Sequence, residues 1–207
     1  MRGRVQADGL RYVAVGDSYT IGTSVSESDR FPDRLVGALG PPNPALRLVA
    51  NLGVNGHTSA DLIGDELPAL ATLQPEFVTV LIGVNDVVRG IGAGVYEANV
   101  ATILAGLLAL LPPDRIVALS IPDYTVTPAG ADYGDPGERR AGIDASNATM
   151  ARLAAARGIA FVDIVDISRE AAVDRTMVAP DGLHPSGAQY GRWVERLAPV
   201  VRELLDH

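Results

Sequence analysis

The sequence contains no cysteine among its 207 residues. This absence excludes disulfide bonds, cysteine-based metal sites and a thiol nucleophile. Positive charge is also scarce, because 25 acidic residues outnumber 17 lysines and arginines and give a formal net charge of −8. A surface that acidic repels phosphate backbones, so we expect no nucleic acid as principal partner. A neutral or cationic small molecule suits this charge better than a polyanion.

Long apolar runs are missing as well. The run at 103–111 (ILAGLLALL) is about half of the ~20 residues needed to cross a bilayer. The N-terminal stretch has Arg2 and Arg4, but no signal-type apolar segment with a small-residue cleavage site precedes the first predicted strand. We therefore expect a soluble, cytoplasmic protein without a membrane span.

The length and composition favour one folded domain covering 1–207. Hydrophobic residues make up 47% of the chain and charged residues 20%, which is enough apolar material for a sizeable core and too little charge for a disordered chain. A chain of this length suits a single α/β domain, since domains of roughly 100–200 residues are usual.

Apolar, β-branched segments alternate with helical patterns along the chain. Strands are predicted at 11–15, 46–51, 77–82, 115–121 and 160–165. Helices are predicted at 31–39, 60–73, 96–110, 144–157 and 186–205, with Ser59 as the expected cap of the second. Nearly continuous apolar strands, each followed by a helix, indicate a parallel sheet covered on both faces. The predicted fold is a three-layer α/β/α sandwich of about five parallel strands.

One segment interrupts this alternation. Residues 122–142 (PDYTVTPAGADYGDPGERRAG) are rich in proline and glycine and contain two tyrosines. The segment is longer than the few residues that usually join a strand to a helix. It follows the fourth predicted strand, at the carboxyl edge where open α/β sheets bind ligands. We predict a loop here, which is either a substrate-binding loop or lid or a surface insertion without a role.

Chemically useful residues collect where the predicted strands end. The first strand ends in 16–20 (GDSYT), where Ser18 can lie exposed on a turn or cap a helix. The second ends in 51–58 (NLGVNGHT), whose glycines allow a close backbone approach to a ligand or merely permit the turn. The third ends at Asn85, which offers an amide donor to a developing negative charge or caps the next helix.

A carboxylate and a histidine lie close together near the C-terminus. Asp181 precedes His184 by three residues, with a glycine between them. At this spacing the carboxylate can bond one ring nitrogen, hold the imidazole in one tautomer and stabilise its protonated form. The chain has three histidines, His57, His184 and His207, of which only His184 has such a local partner. His184 is therefore the candidate general base.

Taken together, these residues supply a hydroxyl, a base, an orienting carboxylate and several N–H donors, which is the inventory for acyl transfer. The chain resembles the SGNH, or GDSL-type, hydrolase family of esterases, lipases, acetylesterases and thioesterases. The matching motifs are GDSYT at 16–20, NLGVNG at 51–56, GVND at 83–86 and DGLH at 181–184. Four motifs in this order are specific, and they span nearly the whole chain. The resemblance implies a flavodoxin-like sheet.

The resemblance also implies a role for each matching residue. Ser18 would be the nucleophile, and its backbone N–H one oxyanion donor. Gly56 would supply a second donor through its N–H, and Asn85 a third through its side-chain amide. His184 would take the serine proton and pass it to the leaving alcohol, with Asp181 behind it. This scheme needs no metal and no cofactor, and its partner is a small acyl ester.

Other residues in the motifs receive structural interpretations. Gly56 rather than Gly53 is chosen as donor, because the family's donor glycine usually ends this stretch. Asp17 is interpreted as a brace for the serine turn and Asp86 as a brace for the loops around Asn85. His57 is interpreted as a helix-start residue that points to solvent, with lining of the pocket as the alternative. We expect short acyl groups, since the chain has no large apolar lid.

Two other functions share parts of this pattern. An acyltransferase would use the same residues and hand the acyl group to a sugar or alcohol instead of water. A non-catalytic flavodoxin-like module would bind a nucleotide or another phosphate through the strand-end glycines. The second is disfavoured, because neither GxGxxG nor GxxxxGK[ST] follows the first strand.

Overall fold

The computed structural model describes residues 9–40 and 45–206. The start of the N-terminal stretch that we interpreted as lacking a leader, and His207, lie outside these ranges. Five strands form one sheet: β1 Leu10–Gly16, β2 Leu46–Asn51, β3 Phe77–Leu81, β4 Ile116–Leu119 and β5 Ala160–Val162. The longer helices are α2 Phe31–Ala38, α6 Ala93–Leu108, α7 Pro136–Ala155 and α9 Gly187–Leu205. The shorter ones are α1 Ser18–Ile21, α3 Ser59–Asp61, α4 Leu67–Thr72, α5 Val84–Val88 and α8 Val165–Arg169.

All strand pairs are parallel, and the order across the sheet is β2-β1-β3-β4-β5. This is the flavodoxin-like order, and the predicted three-layer α/β/α sandwich is confirmed. The order reverses between β1 and β3, and such a switch point opens a crevice at the carboxyl ends of the two strands. The residues that follow β1 and β3 therefore meet at one edge of the sheet.

The core lies on both faces of this sheet. Alternate residues of β1 enter different clusters, because successive side chains of a strand point to opposite faces. Tyr12 and Ala14 pack in the cluster that contains Trp193 of α9, whereas Val13 and Val15 pack with residues of α6 such as Ile103. Burial on both faces explains why the strands read as continuous apolar runs.

The prediction of one uninterrupted loop at 122–142 is wrong. Helix α7 begins at Pro136 and takes up the last seven positions of that segment. Asp135 caps the helix by accepting the Glu138 N–H at 2.9 Å, and Pro136 at the first helical position has no N–H to leave unpaired. The remainder contains two short 3-10 turns, Tyr124–Val126 and Gly130–Tyr133.

Two further predictions need correction near α3. Thr58, not Ser59, caps this helix, because its hydroxyl and the Asp61 carboxylate exchange hydrogen bonds with each other's backbone N–H groups. The predicted helix at 60–73 is also interrupted by a π-helical turn, Leu62–Glu66, between α3 and α4. Pro68 follows in the first turn of α4, where it has no N–H to donate to the carbonyl four residues back.

No helix within the described ranges is long and apolar enough to span a membrane.

Candidate active site

Ser18 lies at the carboxyl end of β1, on the tight turn that starts α1. Asp17 is fully buried, and its carboxylate caps α1 by accepting the Tyr19 N–H at 3.0 Å. Gly16 has φ +148°, and a Cβ at this position would collide with the carbonyl oxygen of Leu81 on β3. Glycine is therefore required for β1 to turn so close to β3, and this turn brings Ser18 to the switch point.

Asp181 and His184 lie on a loop just before α9. The loop is closed by an antiparallel bridge between Val178 and Pro185 and by a 2.8 Å hydrogen bond from the Ala179 N–H to the His184 carbonyl. Gly182, with φ +74°, lets the chain turn back within the loop. The two side chains form the predicted pair, with His184 Nδ1 2.6 Å from Asp181 Oδ2.

The Asp181 carboxylate accepts further hydrogen bonds. The backbone N–H groups of Leu183 and His184 donate to Oδ1 at 2.9 and 3.0 Å, and the Ser24 hydroxyl donates to Oδ2 at 2.6 Å. Partial burial opposes ionisation, but the Ser24 hydroxyl, the two N–H groups and the His184 ring outweigh it and hold the pKa of Asp181 well below its usual range. Asp181 is therefore ionised at neutral pH and can stabilise a protonated His184.

Ser24 was not found by the sequence analysis. It adopts a left-handed backbone conformation, with φ +66°, which is uncommon for a residue other than glycine and costs on the order of 1–3 kcal/mol. Its hydroxyl joins the segment after α1 to the Asp181 carboxylate. The two residues are 157 positions apart, so no local pattern could indicate the contact.

The three candidate oxyanion donors, on Ser18, Gly56 and Asn85, belong to residues that line the same cavity. Within the described part of the chain, the backbone N–H groups of Ser18 and Gly56 make no hydrogen bond. The Gly53 N–H instead donates to Asn51 Oδ1 at 3.1 Å, so the Gly53 N–H is already engaged. The Asn85 amide donates one hydrogen to the His57 carbonyl at 2.9 Å, and its second hydrogen is available to a ligand.

Four of the five candidate residues line a single cavity of about 280 Å³: Ser18, Gly56, Asn85 and His184. Asp181 lies behind His184 and outside the lining. The serine hydroxyl makes no hydrogen bond to any described residue, His184 included. Catalytic hydrogen bonds are often long without substrate and shorten when it binds, so the shared cavity is the informative observation.

Besides the candidate residues, the cavity is lined by apolar residues, which we call its apolar side, and by polar residues, which we call its polar side. Val84, Val88, Tyr124, Tyr133 and Leu183 form the apolar side. Tyr133 comes from the Gly130–Tyr133 turn and meets the Tyr124 ring edge-on, with centroids 6.0 Å apart. The segment after β4 therefore contributes to the cavity wall.

The polar side is formed by Thr23 and Asn55, which hydrogen-bond to each other. Tyr19 also lines the cavity, and the centroid of its ring lies 5.4 Å from that of the His184 ring.

The interpretation of His57 as a solvent-facing residue is wrong. Its side chain is only 16% exposed, and Nδ1 lies 2.9 Å from Oε1 of the buried Glu66. His57 does not belong to the cavity lining either, so the alternative interpretation also fails. Glu66 is a second residue that the sequence analysis missed.

Asp86 braces the neighbouring loops, as its interpretation required. Its two oxygens accept hydrogen bonds from the Ser59 N–H at 2.8 Å and the Ser59 hydroxyl at 2.5 Å. This contact ties α5, which carries Asn85, to the start of α3. Among the described residues, no group of three or more His, Asp or Glu side chains is arranged to hold a metal ion.

Asp17 should make the stability of the protein depend on pH. Burial raises the pKa of Asp17 from 3.8 to about 8. Between about pH 5 and pH 8 the carboxyl is protonated in the folded state and ionised in the unfolded state. The free energy of unfolding therefore falls as pH rises through this window, by up to about 1.4 kcal/mol per pH unit from this group. Asp17→Asn keeps the capping oxygen but does not titrate, so urea denaturation should show a shallower pH slope. Equal slopes for the two proteins would contradict the prediction.

The model of the GDSL-like Lipase/Acylhydrolase family matches residues 14–192. No curated protein is a significant match to the sequence.

Similar solved structures include LAE5, described as an alpha/beta hydrolase enzyme from the metagenome of Lake Arreo, Spain, with 23% identity, TM-score 0.70 and coverage of 99% of this chain and 98% of that one. TesA has 23% identity and TM-score 0.72, with coverage of 94% and 99%. Axe2, an acetylxylan esterase from Geobacillus stearothermophilus, has 21% identity and TM-score 0.70, with coverage of 97% and 96%. At these identities the likenesses support the fold.

Proposed function

Because the chain belongs to the GDSL-like lipase/acylhydrolase family, we propose that it hydrolyses small acyl esters through a covalent acyl-enzyme formed on Ser18. The observation that carries the proposal is the shared cavity. Ser18 and His184 both line it, His184 Nδ1 bonds Asp181 at 2.6 Å, and the Gly56 and Asn85 donors face the same space.

The proposed reaction proceeds in two steps. His184 Nε2 accepts the Ser18 proton, since Nδ1 is engaged by Asp181, and Ser18 Oγ attacks the ester carbonyl carbon. The Ser18 and Gly56 N–H groups and the Asn85 amide hold the resulting oxyanion. His184 then gives its proton to the leaving alcohol. In the second step His184 takes a proton from a water molecule, which attacks the acyl-enzyme carbonyl; the bond to Ser18 Oγ then breaks, His184 returns the proton to Oγ, and the carboxylic acid leaves.

The size and chemistry of the cavity support a small substrate. Its volume of about 280 Å³ lies just below the roughly 300–1,000 Å³ of small-molecule pockets. We assign the apolar side to the acyl group and the polar side at Thr23 and Asn55 to the alcohol. Chromogenic acetyl to octanoyl esters of one alcohol test the assignment. We expect the highest kcat/KM for the shortest chains, and failure to cleave any ester would refute the function.

Asn85→Ala tests the oxyanion assignment. Removing one preorganised donor should lower kcat by about 10²–10³-fold, because that donor is most valuable when charge develops on the carbonyl oxygen. Steady-state kinetics with a chromogenic acetate ester measure the loss. Asn99→Ala is a matched control, since the Asn99 amide bonds Ser59 Oγ at 2.9 Å and does not line the cavity. Near-normal turnover in Asn85→Ala would exclude Asn85 as a donor.

Tyr133→Ala tests the acyl side of the cavity. The Tyr133 ring is 41% exposed and closes the apolar wall against Tyr124, so its removal should admit longer chains. We expect the ratio of kcat/KM for hexanoyl over acetyl ester to rise roughly 10-fold. Tyr133→Phe keeps the ring and should keep the wild-type preference. If both variants retain the wild-type ratio, the acyl chain lies elsewhere.

A further inference from the structure

Glu66 joins two parts of the candidate active site through one buried carboxylate. Its side chain is only 2% exposed. Oε2 accepts the Gly16 N–H at 2.7 Å, and Oε1 lies 2.9 Å from His57 Nδ1. Neither Glu66 nor the His57 ring lines the cavity, so the pair lies behind the site.

The first contact anchors the strand end that carries the nucleophile. Gly16 is the last residue of β1 and precedes Ser18 by two positions. Its carbonyl also accepts the Val54 N–H at 3.1 Å. Gly16 is therefore tied to the 52–57 loop directly through Val54 and indirectly through Glu66 and His57.

The second contact anchors the loop that carries the Gly56 donor and that holds the Asn85 amide. Gly56, whose N–H is free, directly precedes His57 in the chain. The His57 carbonyl accepts a hydrogen bond from the Asn85 side-chain amide at 2.9 Å. The His57 N–H donates to the Val54 carbonyl at 3.2 Å. A shift of the His57 backbone would therefore move the Gly56 N–H and release the Asn85 amide together.

The local backbone around Glu66 is unusual. Glu66 is the last residue of the π-helical turn, and the Leu67 N–H donates to the Leu62 carbonyl five residues back. Such turns are rare inside helices and are frequent at functional sites. Burying an acidic side chain is costly and raises the pKa of Glu66 to about 8, yet each oxygen has a partner in the machinery of the site.

We propose that Glu66 is a positioning residue for acyl transfer, which sets the separation between the Ser18 turn and the Gly56 and Asn85 donors. The inference rests on the proposed function. It adds a second pair of a histidine and an acidic residue, His57 and Glu66, to that function. In this pair His57 connects Glu66 to the 52–57 loop and does not act as a base.

The experiment compares Glu66→Ala with a matched control. Glu76 also accepts a β1 backbone N–H, that of Arg11 at 2.9 Å, but at the opposite end of the strand. Misplaced catalytic groups lower turnover, so Glu66→Ala should lower kcat for a chromogenic acetate ester by about 10–100-fold with little change in KM. Glu76→Ala should leave kcat unchanged, and Glu66→Gln, which keeps an oxygen acceptor, should recover most of the loss. An equal kcat loss in Glu66→Ala and Glu76→Ala, or a change confined to KM, would overturn the proposal.

His57→Ala provides a second route if Glu66→Ala does not fold. It removes the ring and leaves the Glu66 bond to Gly16 in place. We expect a kcat loss in the same direction, and a double variant no worse than Glu66→Ala alone, because the two residues act through one contact. An unchanged kcat in His57→Ala would contradict the role of His57 as the connection between Glu66 and the 52–57 loop.

Nuclear magnetic resonance separates this inference from the proposed function. The chemical shifts of the Gly56 backbone amide and the Asn85 side-chain amide should change in Glu66→Ala and in His57→Ala. They should not change in Glu76→Ala. If the wild type cleaves no ester, the proposed function fails, and these shifts alone decide whether Glu66 positions the donors. Unmoved Gly56 and Asn85 signals would overturn the inference even in an active enzyme.

Discussion

Replacing Ser18 by alanine is expected to abolish ester hydrolysis, with a fall in kcat of at least about 10⁴-fold. Without Oγ no acyl-enzyme can form, and only the oxyanion donors and substrate binding remain to assist water. The measurement is the initial rate with a chromogenic acetate ester, after chromatography that removes trace wild-type enzyme.

The fold should survive this change. The Ser18 hydroxyl makes no hydrogen bond to another described residue, so its removal leaves no buried partner unsatisfied, and the free energy of unfolding should change by about 0.5 kcal/mol or less. Ser28→Ala, at an exposed serine outside the cavity, serves as the matched control. Substantial esterase activity in Ser18→Ala would remove Ser18 from the mechanism.

His184→Ala should be nearly as damaging, with an expected loss in kcat of about 10³–10⁴-fold. Its imidazole is the group that can take the Ser18 proton and return it to the alcohol. The loop that carries Asp181 should keep its structure, because the Asp181 carboxylate still accepts hydrogen bonds from the Leu183 N–H and the Ser24 hydroxyl. Steady-state kinetics and a thermal melt measure the two properties separately.

His57→Ala is the matched control for this variant. Both histidines bond a carboxylate through Nδ1, at 2.6 Å for His184 and 2.9 Å for His57, but only His184 lines the cavity. The loss in His184→Ala should therefore exceed the loss in His57→Ala clearly. The reverse order would assign the base to His57.

The sheet could be predicted from the sequence because burial on both faces leaves a local pattern. Strands with apolar residues at nearly every position mark a covered parallel sheet, and β3, which is buried at all five positions, begins where the pattern indicates. The start of α7 was missed because 122–142 was treated as a proline- and glycine-rich loop. The cap Asp135 and the first-turn Pro136 are in fact a helix-start signature, so the signal was present in the sequence.

Contacts between residues that are close in the sequence are the part of the site that local spacing predicts. Asp181 and His184 are three residues apart, and their bond follows from that spacing. Ser24 and Asp181 meet only because the loops after α1 and before α9 converge, which the sequence does not encode locally. His57 was misjudged for a related reason, since its partner Glu66 is turned inward by a π-helical turn that helical periodicity does not predict.

The most direct test of the account is to identify the residue that a phosphonate ester labels. Such a reagent transfers its phosphonyl group to an activated serine and releases its leaving group. The account predicts one phosphonyl group per molecule of wild-type protein, located on Ser18 by tandem mass spectrometry, and slow labelling in His184→Ala. Stoichiometric labelling of a different residue together with loss of esterase activity would contradict it.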